Sequence, residues 1–320
     1  MTSRYPKNTA TAWILRDHKL GSAQQCLALA QNLGCNYAVK WLDLHSLYRL
    51  LPPHFTPMSL NILREKSRLS LSPPYPDLII TSGARMIKPA LALGKAAPKT
   101  KLIYIHKPCV DAKAFDAIIA PQYDGCKEAI NIKLGLSLPL TFVESSQDLP
   151  KELTALLLGG PNKHYNFPNS KQLITDIKSF LDQNRGFVYC CGSRRTPASL
   201  LSALATAFEN EARFFLWHFG MKTPNPYPLL LRKAACFIIS ADSTSMLAEA
   251  NATGKPCYML NLPKKRKLES KFDKMQNQLI GEGYFGSFNG GISAYPLKKI
   301  DDNQKATQAI LDRFPELFKE

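Results

Sequence analysis

Short apolar runs alternate with longer segments of helical periodicity along most of the 320-residue chain. This alternation predicts parallel strands, because two parallel neighbours need a long crossover connection that a helix usually supplies. In the first half, one helix is predicted over residues 22–33 with Gly34 ending it, and another runs through Leu93 with Gly94 ending it. The strands predicted there are residues 11–15, 38–42, 78–81, 102–105 and 117–120.

The same alternation resumes after a polar stretch over residues 141–152, which contains Pro150 and is typical of a linker. Clear helices are predicted over residues 198–208 and 245–253, and a terminal helix over 303–319. The strands predicted in this half are residues 155–158, 186–190, 214–219, 236–240 and 257–260. The chain is therefore predicted to form two α/β domains, 1–145 and 150–300, followed by a terminal helical segment, 301–320.

Two Rossmann-like domains predict where a ligand would bind. In open parallel sheets, ligands lie beyond the carboxyl ends of the strands, where the connecting loops gather. We therefore expect a ligand cleft between two parallel sheets that face each other, lined by the loops that follow the strands.

The net charge of +16 is the strongest signal in the composition. It indicates attraction to an anionic partner, which leaves nucleic acid, an anionic membrane face and acidic substrates as alternatives. One dense basic run covers residues 264–267, either as a solvated loop or as a surface for lipid or phosphate. We find no motif of the known nucleic-acid-binding folds, so no specific nucleic acid partner is predicted.

The cysteines and the apolar runs bear on the compartment. Most of the eight cysteines lie inside apolar runs and no CxxC occurs, which indicates a reducing compartment and no zinc site. No run reaches the ~20 apolar residues of a membrane-spanning helix, and the first residues lack the apolar core of a signal peptide. We expect a cytoplasmic protein, with peripheral contact at the inner face of the membrane left open.

The loop after the strand at 186–190 combines helix-capping residues with two adjacent arginines, Arg194 and Arg195. Ser193 or Thr196 is suited to capping the following helix, and exposed N–H groups at a helix start favour anions. Arginine adds bidentate hydrogen bonds to phosphate or carboxylate. The alternative is a capped helix that carries surface arginines.

A second loop of this kind follows the strand at 236–240 and contains Asp242, Ser243, Thr244 and Ser245. Its hydroxyl and N–H groups open a helix that would hold phosphate, while Glu249 lies where a carboxylate can accept hydrogen bonds from a ribose diol. The alternative is a well-capped helix with a surface glutamate. Gly160, in a glycine pair after another strand, either lets backbone approach a ligand or makes a tight turn.

Loops in the first half also follow predicted strands. Asp17 or His18, in the loop that continues to Gly21, could remove a proton from an acceptor hydroxyl, although an Asp-His pair in a loop is often structural. Gly21 and other residues that end strands on the same face are candidate acceptor contacts: Ser82, Gly83, Arg85, Lys107 and Asp124. No Walker-type loop, HExxH or GxGxxG occurs, and the last absence counts against a dehydrogenase.

These segments resemble a known family, the mitochondrial fission Elm-type proteins, bacterial and plant sequences that are also labelled glycosyltransferases. The matching pieces span about residues 11–262 in the family's order: PDLIITSGAR, FDAIIAP, LLLGG, GSRRTP, NPY and ISADSTSMLAEANATGKP. One difference is Tyr123, which stands where the family usually has histidine before the aspartate of its first-domain loop.

The resemblance implies a GT-B fold, with a nucleotide sugar bound by the C-terminal domain and an acceptor by the N-terminal domain. It implies that Arg194 and Arg195 meet the donor phosphates, that residues 243–245 meet phosphate, and that Glu249 meets the ribose. No cofactor or metal is implied beyond the donor substrate.

Three functions remain open at this point. The first is a metal-independent glycosyltransferase whose acceptor is an anionic lipid, a lipopolysaccharide or another glycan at the membrane. The second is a non-enzymatic adaptor that binds membrane or a division protein. The third is a nucleotide-sugar epimerase of the same fold.

Overall fold

The structure, a computed structural model, describes residues 10–17, 20–138, 149–266 and 268–318, with the backbone alone for 20–22. The chain divides into two compact units: unit 1 comprises Met1–Pro139 and Asp301–Glu320, and unit 2 comprises Leu140–Ile300. His18 and linker residues 141–148 lie outside the described residues.

Unit 1 contains a six-stranded parallel sheet in the order β2-β1-β3-β4-β5-β6. Its strands are β1 (Thr11–Arg16), β2 (Asn36–Trp41), β3 (Leu78–Ser82), β4 (Lys101–Ile105), β5 (Ala117–Pro121) and β6 (Ile130–Ile132). Its first helices are α1 (Leu20–Asn32), α2 (Ser46–Leu50), α3 (Glu65–Leu69) and α4 (Ala84–Ala96). Every residue of β3 and β5 is buried, because helices and loops cover both faces of the sheet.

Unit 2 contains a second six-stranded parallel sheet, in the order β12-β11-β10-β7-β8-β9. Its strands are β7 (Leu153–Leu158), β8 (Phe187–Gly192), β9 (Phe214–His218), β10 (Cys236–Ser240), β11 (Cys257–Leu260) and β12 (Gly286–Phe288). Its helices are α5 (Ser170–Gln183), α6 (Ala198–Ala207), α7 (Tyr227–Lys233), α8 (Thr244–Ala252) and α9 (Lys271–Gly281). Leu173, Ile177 and Phe180 of α5 fall at helical spacing and are buried in the core over β7 and β8.

The last helix, α10 (Asp302–Arg313), returns to unit 1. Ala306 and Ile310 of α10 are buried in the same apolar core as α1. The carboxylate of Asp302 accepts hydrogen bonds from the backbone N–H groups of residues 133, 134 and 135 at 2.7, 2.7 and 3.0 Å. Burial raises the pKa of Asp302, although these three donors act in the opposite direction. The terminal segment is therefore part of the first fold.

The structure confirms the predicted fold class and differs in several elements. Gly94 was predicted to end its helix but lies inside α4. It packs closely on β4, where a Cβ atom would meet the side chain of Leu102. Helices α5 and α9 and the short strands β6 and β12 were not predicted. In the part of the chain that the structure describes, no helix has the length and apolar character needed to cross a bilayer.

Candidate functional site at the carboxyl edge of unit 2

The strand order of unit 2 brings three distant loops together. The chain starts this sheet at β7 and adds β8 and β9 on one side of it. It then crosses to the other side and adds β10, β11 and β12, so the direction of growth reverses between β7 and β10. At such a reversal the connections leave to opposite sides and open a crevice at the carboxyl ends of the strands. The segments at this edge are Gly159–Gly160 after β7, Ser193–Pro197 after β8 and Ala241–Ser243 after β10.

Asp242 connects these loops through a side chain with no exposed surface. One carboxylate oxygen accepts the Gly160 N–H at 3.0 Å and the Arg195 guanidinium at 2.8 Å. The other accepts the hydroxyl of Ser240 at 2.7 Å, and that hydroxyl accepts the Gly159 N–H at 2.7 Å. The ligand role predicted for Asp242 stays a prediction. The contacts described here position the loops.

The glycine pair after β7 is required by close approach. A Cβ atom on Gly159 would overlap the carboxylate of Asp242, and one on Gly160 would overlap the backbone carbonyl of Arg195. The pair is therefore more than a tight turn, because it lets the neighbouring loops pack directly against the end of β7.

The hydroxyls of the β8 loop bind backward to β7. Ser193 donates to the carbonyl of Gly159 at 2.9 Å, and Thr196 lies 2.9 and 2.5 Å from the carbonyl oxygens of Leu158 and Gly159. Thr196 also accepts the Ser193 N–H at 2.8 Å. We expected Ser193 or Thr196 to cap α6, but the residue before α6 is Pro197, without a side-chain cap. These hydroxyls instead hold the loop in place.

The two arginines of the β8 loop have different surroundings. Arg195 is fixed by Asp242 and lies 3.4 Å from the Gly160 carbonyl, with 48% of its side chain still exposed. Arg194 is exposed, and its guanidinium carbon lies 5.6 Å from the centre of the Phe219 ring. Arg195 thus presents a fixed positive charge at the edge, and Arg194 presents a solvent-facing one.

The start of α8 supplies N–H groups at the same edge. Ser243 caps this helix by accepting the Met246 N–H at 3.4 Å, while Thr244 and Ser245 are half-buried in the first turn. The N–H groups of a first turn have no partners within their own helix, and the helix dipole favours negative charge beside them. The predicted phosphate-binding residues therefore occupy a helix start that suits an anion.

One turn further along α8, Glu249 is half-buried and accepts a 2.5 Å hydrogen bond from the hydroxyl of Tyr227. Burial raises the pKa of Glu249, and the Tyr227 hydrogen bond partly opposes that change. Tyr227 begins α7, where its N–H donates to the side chain of Asn225 at 3.0 Å. The NPY segment was predicted as either a helix start or a pocket wall. The segment does begin a helix, α7, but its hydrogen bond from Tyr227 to Glu249 was not predicted.

Candidate residues at the carboxyl edge of unit 1

Unit 1 has its own reversal of strand order, between β1 and β3. A cavity of about 310 Å³ lies at the carboxyl ends of these two strands. The predicted residues Asp17, Gly83 and Arg85 line it, together with residues 49–53, which run from the end of α2 into the loop that follows it. Arg85 donates to the backbone carbonyl of Arg49 at 3.2 Å, which holds that loop against the start of α4.

The other predicted acceptor residues lie elsewhere along this edge. Ser82 is buried and donates to the carbonyl of Ile105 at 3.1 Å, which ties β3 to β4. Lys107 donates to the carbonyl of Gly125 at 3.2 Å, and Asp124 lies 3.6 Å from the Nδ1 atom of His106. Gly21 lies in the first turn of α1, where the structure describes the backbone alone.

His106, which precedes Lys107 in the loop after β4, is a further candidate. Its φ of 79° is unusual for a residue with a side chain, and its Nε2 atom lies 3.1 Å from the Gln25 amide nitrogen. Backbone strain of this kind often occurs at functional sites, where the surrounding structure enforces it. His106, Gln25 and Asp124 therefore form a polar group at the ends of β4 and β5.

Comparison with known proteins

The family profile described as mitochondrial fission ELM1 matches residues 20–314. This chain belongs to that family. A relative from Arabidopsis thaliana, named mitochondrial fission protein ELM1, is 31% identical over 144 residues, which cover 44% of this chain and 32% of that protein. The family resemblance predicted from GSRRTP and ADSTSMLAEA is confirmed.

Two solved structures share the architecture of this ELM1-family protein. One, from Listeria monocytogenes, is described as a UDP-N-acetylglucosamine 2-epimerase; it has a TM-score of 0.53, 11% identity, and coverage of 96% of this chain and 88% of that one. The other is described as the glycotransferase of kitacinnamycin, with a TM-score of 0.53, 13% identity, and coverage of 97% and 94%. At such identities the likeness shows the fold, and it confirms the predicted GT-B-like architecture.

Proposed function

We propose that unit 2 binds the diphosphate and ribose of a nucleotide sugar and that this ELM1-family protein transfers the sugar to an acceptor held by unit 1. One observation carries this proposal: the first turn of α8 and the half-buried Glu249 lie one helical turn apart, beside the fixed Arg195. A phosphate and the ribose next to it are separated by a similar distance, and they need an anion site and a hydrogen-bond acceptor in that order.

The residues would divide the ligand between them. The N–H groups of Thr244 and Ser245 and the guanidinium of Arg194 would hold the phosphates, and Glu249 would accept hydrogen bonds from the ribose hydroxyls. Arg195 would act from a fixed position, because Asp242 already orients it. Donors that are oriented before the reaction stabilise negative charge without the cost of reorganisation.

In the inverting form of the reaction, the acceptor oxygen bonds to the anomeric carbon as the bond from that carbon to the donor phosphate breaks. The nucleoside diphosphate leaves with the bonding electrons, and the start of α8 with Arg194 stabilises its charge. Asp17, or His18 beside it, takes the proton of the acceptor hydroxyl. The position of Asp17 in the unit 1 cavity supports this role.

The descriptions of the two solved structures support the ligand class, since one refers to UDP-N-acetylglucosamine and the other to a glycotransferase. The epimerase is the second candidate function, because its structure matches as well as that of the transferase. Incubation with a nucleotide sugar in the absence of acceptor separates the two, since an epimerase alone yields an isomeric nucleotide sugar.

Arg194→Ala tests the phosphate role. We expect its dissociation constant for UDP, CMP or GDP species to rise about tenfold or more, because a hydrogen bond to a charged group is lost. Arg185→Ala is the matched control, as it removes the same charge from an exposed position of unit 2. Equal affinity and equal donor turnover in the wild type and Arg194→Ala would remove phosphate binding from this residue.

Absence of heat with every nucleotide in calorimetry would instead favour the adaptor alternative. In that case the fold would serve binding to a membrane or a protein, and the edge of unit 2 would have only a structural role.

A further inference from the structure

The segment from the last residue of β2 to the end of α3 in unit 1 carries an unusual share of exposed apolar side chains. Among the described residues, twelve large apolar side chains are exposed, and seven of them lie within residues 41–69. We call this segment the apolar excursion. Its exposed members are Trp41, Leu47, Leu50, Leu51, Phe55, Met58 and Leu69.

The centre of the apolar excursion has little core of its own. Neither α2 nor the 3-10 turn Pro53–Phe55 buries any residue. Leu47, Leu50 and Phe55 are 64%, 86% and 70% exposed. Leu47 and Leu50 are three positions apart and share one face of α2, and Phe55 follows within about 18 Å of chain. Clustered exposure of this kind marks a surface that binds something apolar.

Exposed basic residues accompany these apolar side chains in the same segment. Arg49 lies on α2 itself, Arg85 donates to the backbone of that helix, and three more exposed basic residues follow in the same segment. These are Arg64, Lys66 and Arg68. Asp43 and Glu65 are the acidic residues of the segment, so it carries a net positive charge before Arg85 is counted. Exposed basic residues together with exposed apolar ones complement an anionic bilayer, because its headgroups carry negative charge and its acyl chains accept apolar side chains.

We propose that the apolar excursion docks unit 1 on an anionic lipid bilayer. Leu47, Leu50 and Phe55 enter the boundary between headgroups and acyl chains, while Arg49 and its basic neighbours contact lipid phosphates. In a symmetric contact with a second copy of this chain, the same positively charged segments would face each other and their charges would repel. The charge therefore favours the bilayer over self-association.

The docking surface also borders the unit 1 cavity. Residues 49–53 belong to both, so a molecule anchored in the bilayer would meet Asp17 and Arg85 without leaving the membrane surface. The acceptor class that this geometry favours is an amphiphile with a hydroxylated head and an apolar tail. This last step rests on the proposed transfer, whereas the docking itself does not.

The test is flotation of the full chain with vesicles of phosphatidylcholine and phosphatidylglycerol, compared with phosphatidylcholine alone. The variant Leu47→Ser/Phe55→Ser removes two exposed apolar tips that do not line the cavity. Leu268→Ser is the matched control, because Leu268 is 85% exposed beside the basic run of unit 2. We expect the wild type and the control to bind the anionic vesicles and the double variant to bind at least about tenfold more weakly. Added salt should weaken wild-type binding.

Three outcomes would overturn the docking proposal. These are no wild-type binding to anionic vesicles, equal binding by the double variant, or loss of binding in Leu268→Ser alone. A change of oligomeric state in the double variant, measured by light scattering, would assign the surface to a second copy instead. Nucleotide affinity, measured on the same samples, keeps this test separate from the proposed transfer, because the residues proposed to bind the nucleotide lie in unit 2.

Discussion

The carboxyl edges of the two sheets lie at equivalent topological positions and are built differently. In unit 2, hydrogen bonds close the edge across three strands, and a fully buried carboxylate at Asp242 holds the loops. In unit 1, the corresponding edge opens into a cavity of about 310 Å³ with Arg49 and Arg85 on its wall. An edge held by hydrogen bonds suits a ligand group of constant shape, such as phosphate. An edge that opens into a cavity suits partners whose shape varies.

The two edges should also differ in how much they contribute to stability. Residues that hold the unit 2 edge also hold the fold, so their loss should reduce the free energy of unfolding and the affinity for nucleotide together. Residues at the unit 1 edge should affect the binding of a partner with little effect on stability. Four substitutions, in order of decreasing effect, test that distinction.

Asp242→Ala should give the largest loss of stability, about 3 kcal/mol in the free energy of unfolding. It would leave the Gly160 N–H and the Ser240 hydroxyl without their buried partner and release Arg195. Urea denaturation measures the loss, with the exposed Asp182→Ala as the control, for which we expect a change within about 0.5 kcal/mol. A loss below about 1 kcal/mol for Asp242→Ala would mean that the unit 2 edge is not held by this carboxylate.

Gly160→Ala should cost about 1–3 kcal/mol, because the added methyl group meets the rigid backbone of Arg195. Nucleotide affinity should fall with it, since the β8 loop would have to move. Gly281→Ala is the matched control, as it adds the same atom in open space at the end of α9. If both variants unfold at the same urea concentration, the close approach at Gly160 is unimportant.

Glu249→Gln should separate stability from ligand binding. The wild-type pKa of Glu249 is raised above 4.5 in the folded state, so its contribution to stability is present below pH 4.5 and is lost as pH rises through the folded pKa. At neutral pH the neutral amide should therefore equal or exceed the wild type, by less than about 1 kcal/mol for a half-buried group.

The wild type should gain stability relative to Glu249→Gln as the pH falls, while the variant binds nucleotide about tenfold more weakly at neutral pH. Denaturant titrations at a series of pH values measure the first effect, and calorimetry measures the second. Unchanged nucleotide affinity would remove the ribose role. A stability difference independent of pH would contradict the raised pKa.

Asp124→Asn should have the smallest effect, below about 0.5 kcal/mol, because asparagine keeps the shape and one oxygen of the carboxylate, and the lost charge lies 3.6 Å from a partly exposed His106. Thermal unfolding measures this directly, and the same sample can be tested for acceptor binding. A destabilisation as large as that of Asp242→Ala would make the two edges alike and remove the comparison.

The fold was predictable from the sequence wherever an apolar run has clear ends. The bounds of β10 and β11 match the predicted runs at 236–240 and 257–260. The helix α5 was missed although Leu173, Ile177, Phe180 and Leu181 carry its apolar face, because polar residues around them lower its overall hydrophobicity. The predicted helix end at Gly94 was wrong, because a glycine is found both at helix ends and where a helix packs closely on a strand.

The site was predictable as a set of loops, and its internal contacts were not. Helix-start chemistry at residues 243–245 can be recognised from the sequence, because capping patterns are local. The contacts of Thr196 with β7 and the hydrogen bond between Tyr227 and Glu249 depend on strand order and on packing between distant elements. No local pattern encodes which strands become neighbours, so these partners required the three-dimensional arrangement.

The return of α10 to unit 1 sets an order of events during synthesis. Residues 133–135 leave the ribosome long before Asp302, whose carboxylate binds their N–H groups in the finished fold. All of unit 2 is translated in that interval. Unit 1 therefore lacks α10, which completes its core beside α1, until the whole of unit 2 has been made. The core of unit 1 should accordingly be completed only after unit 2 has been synthesised.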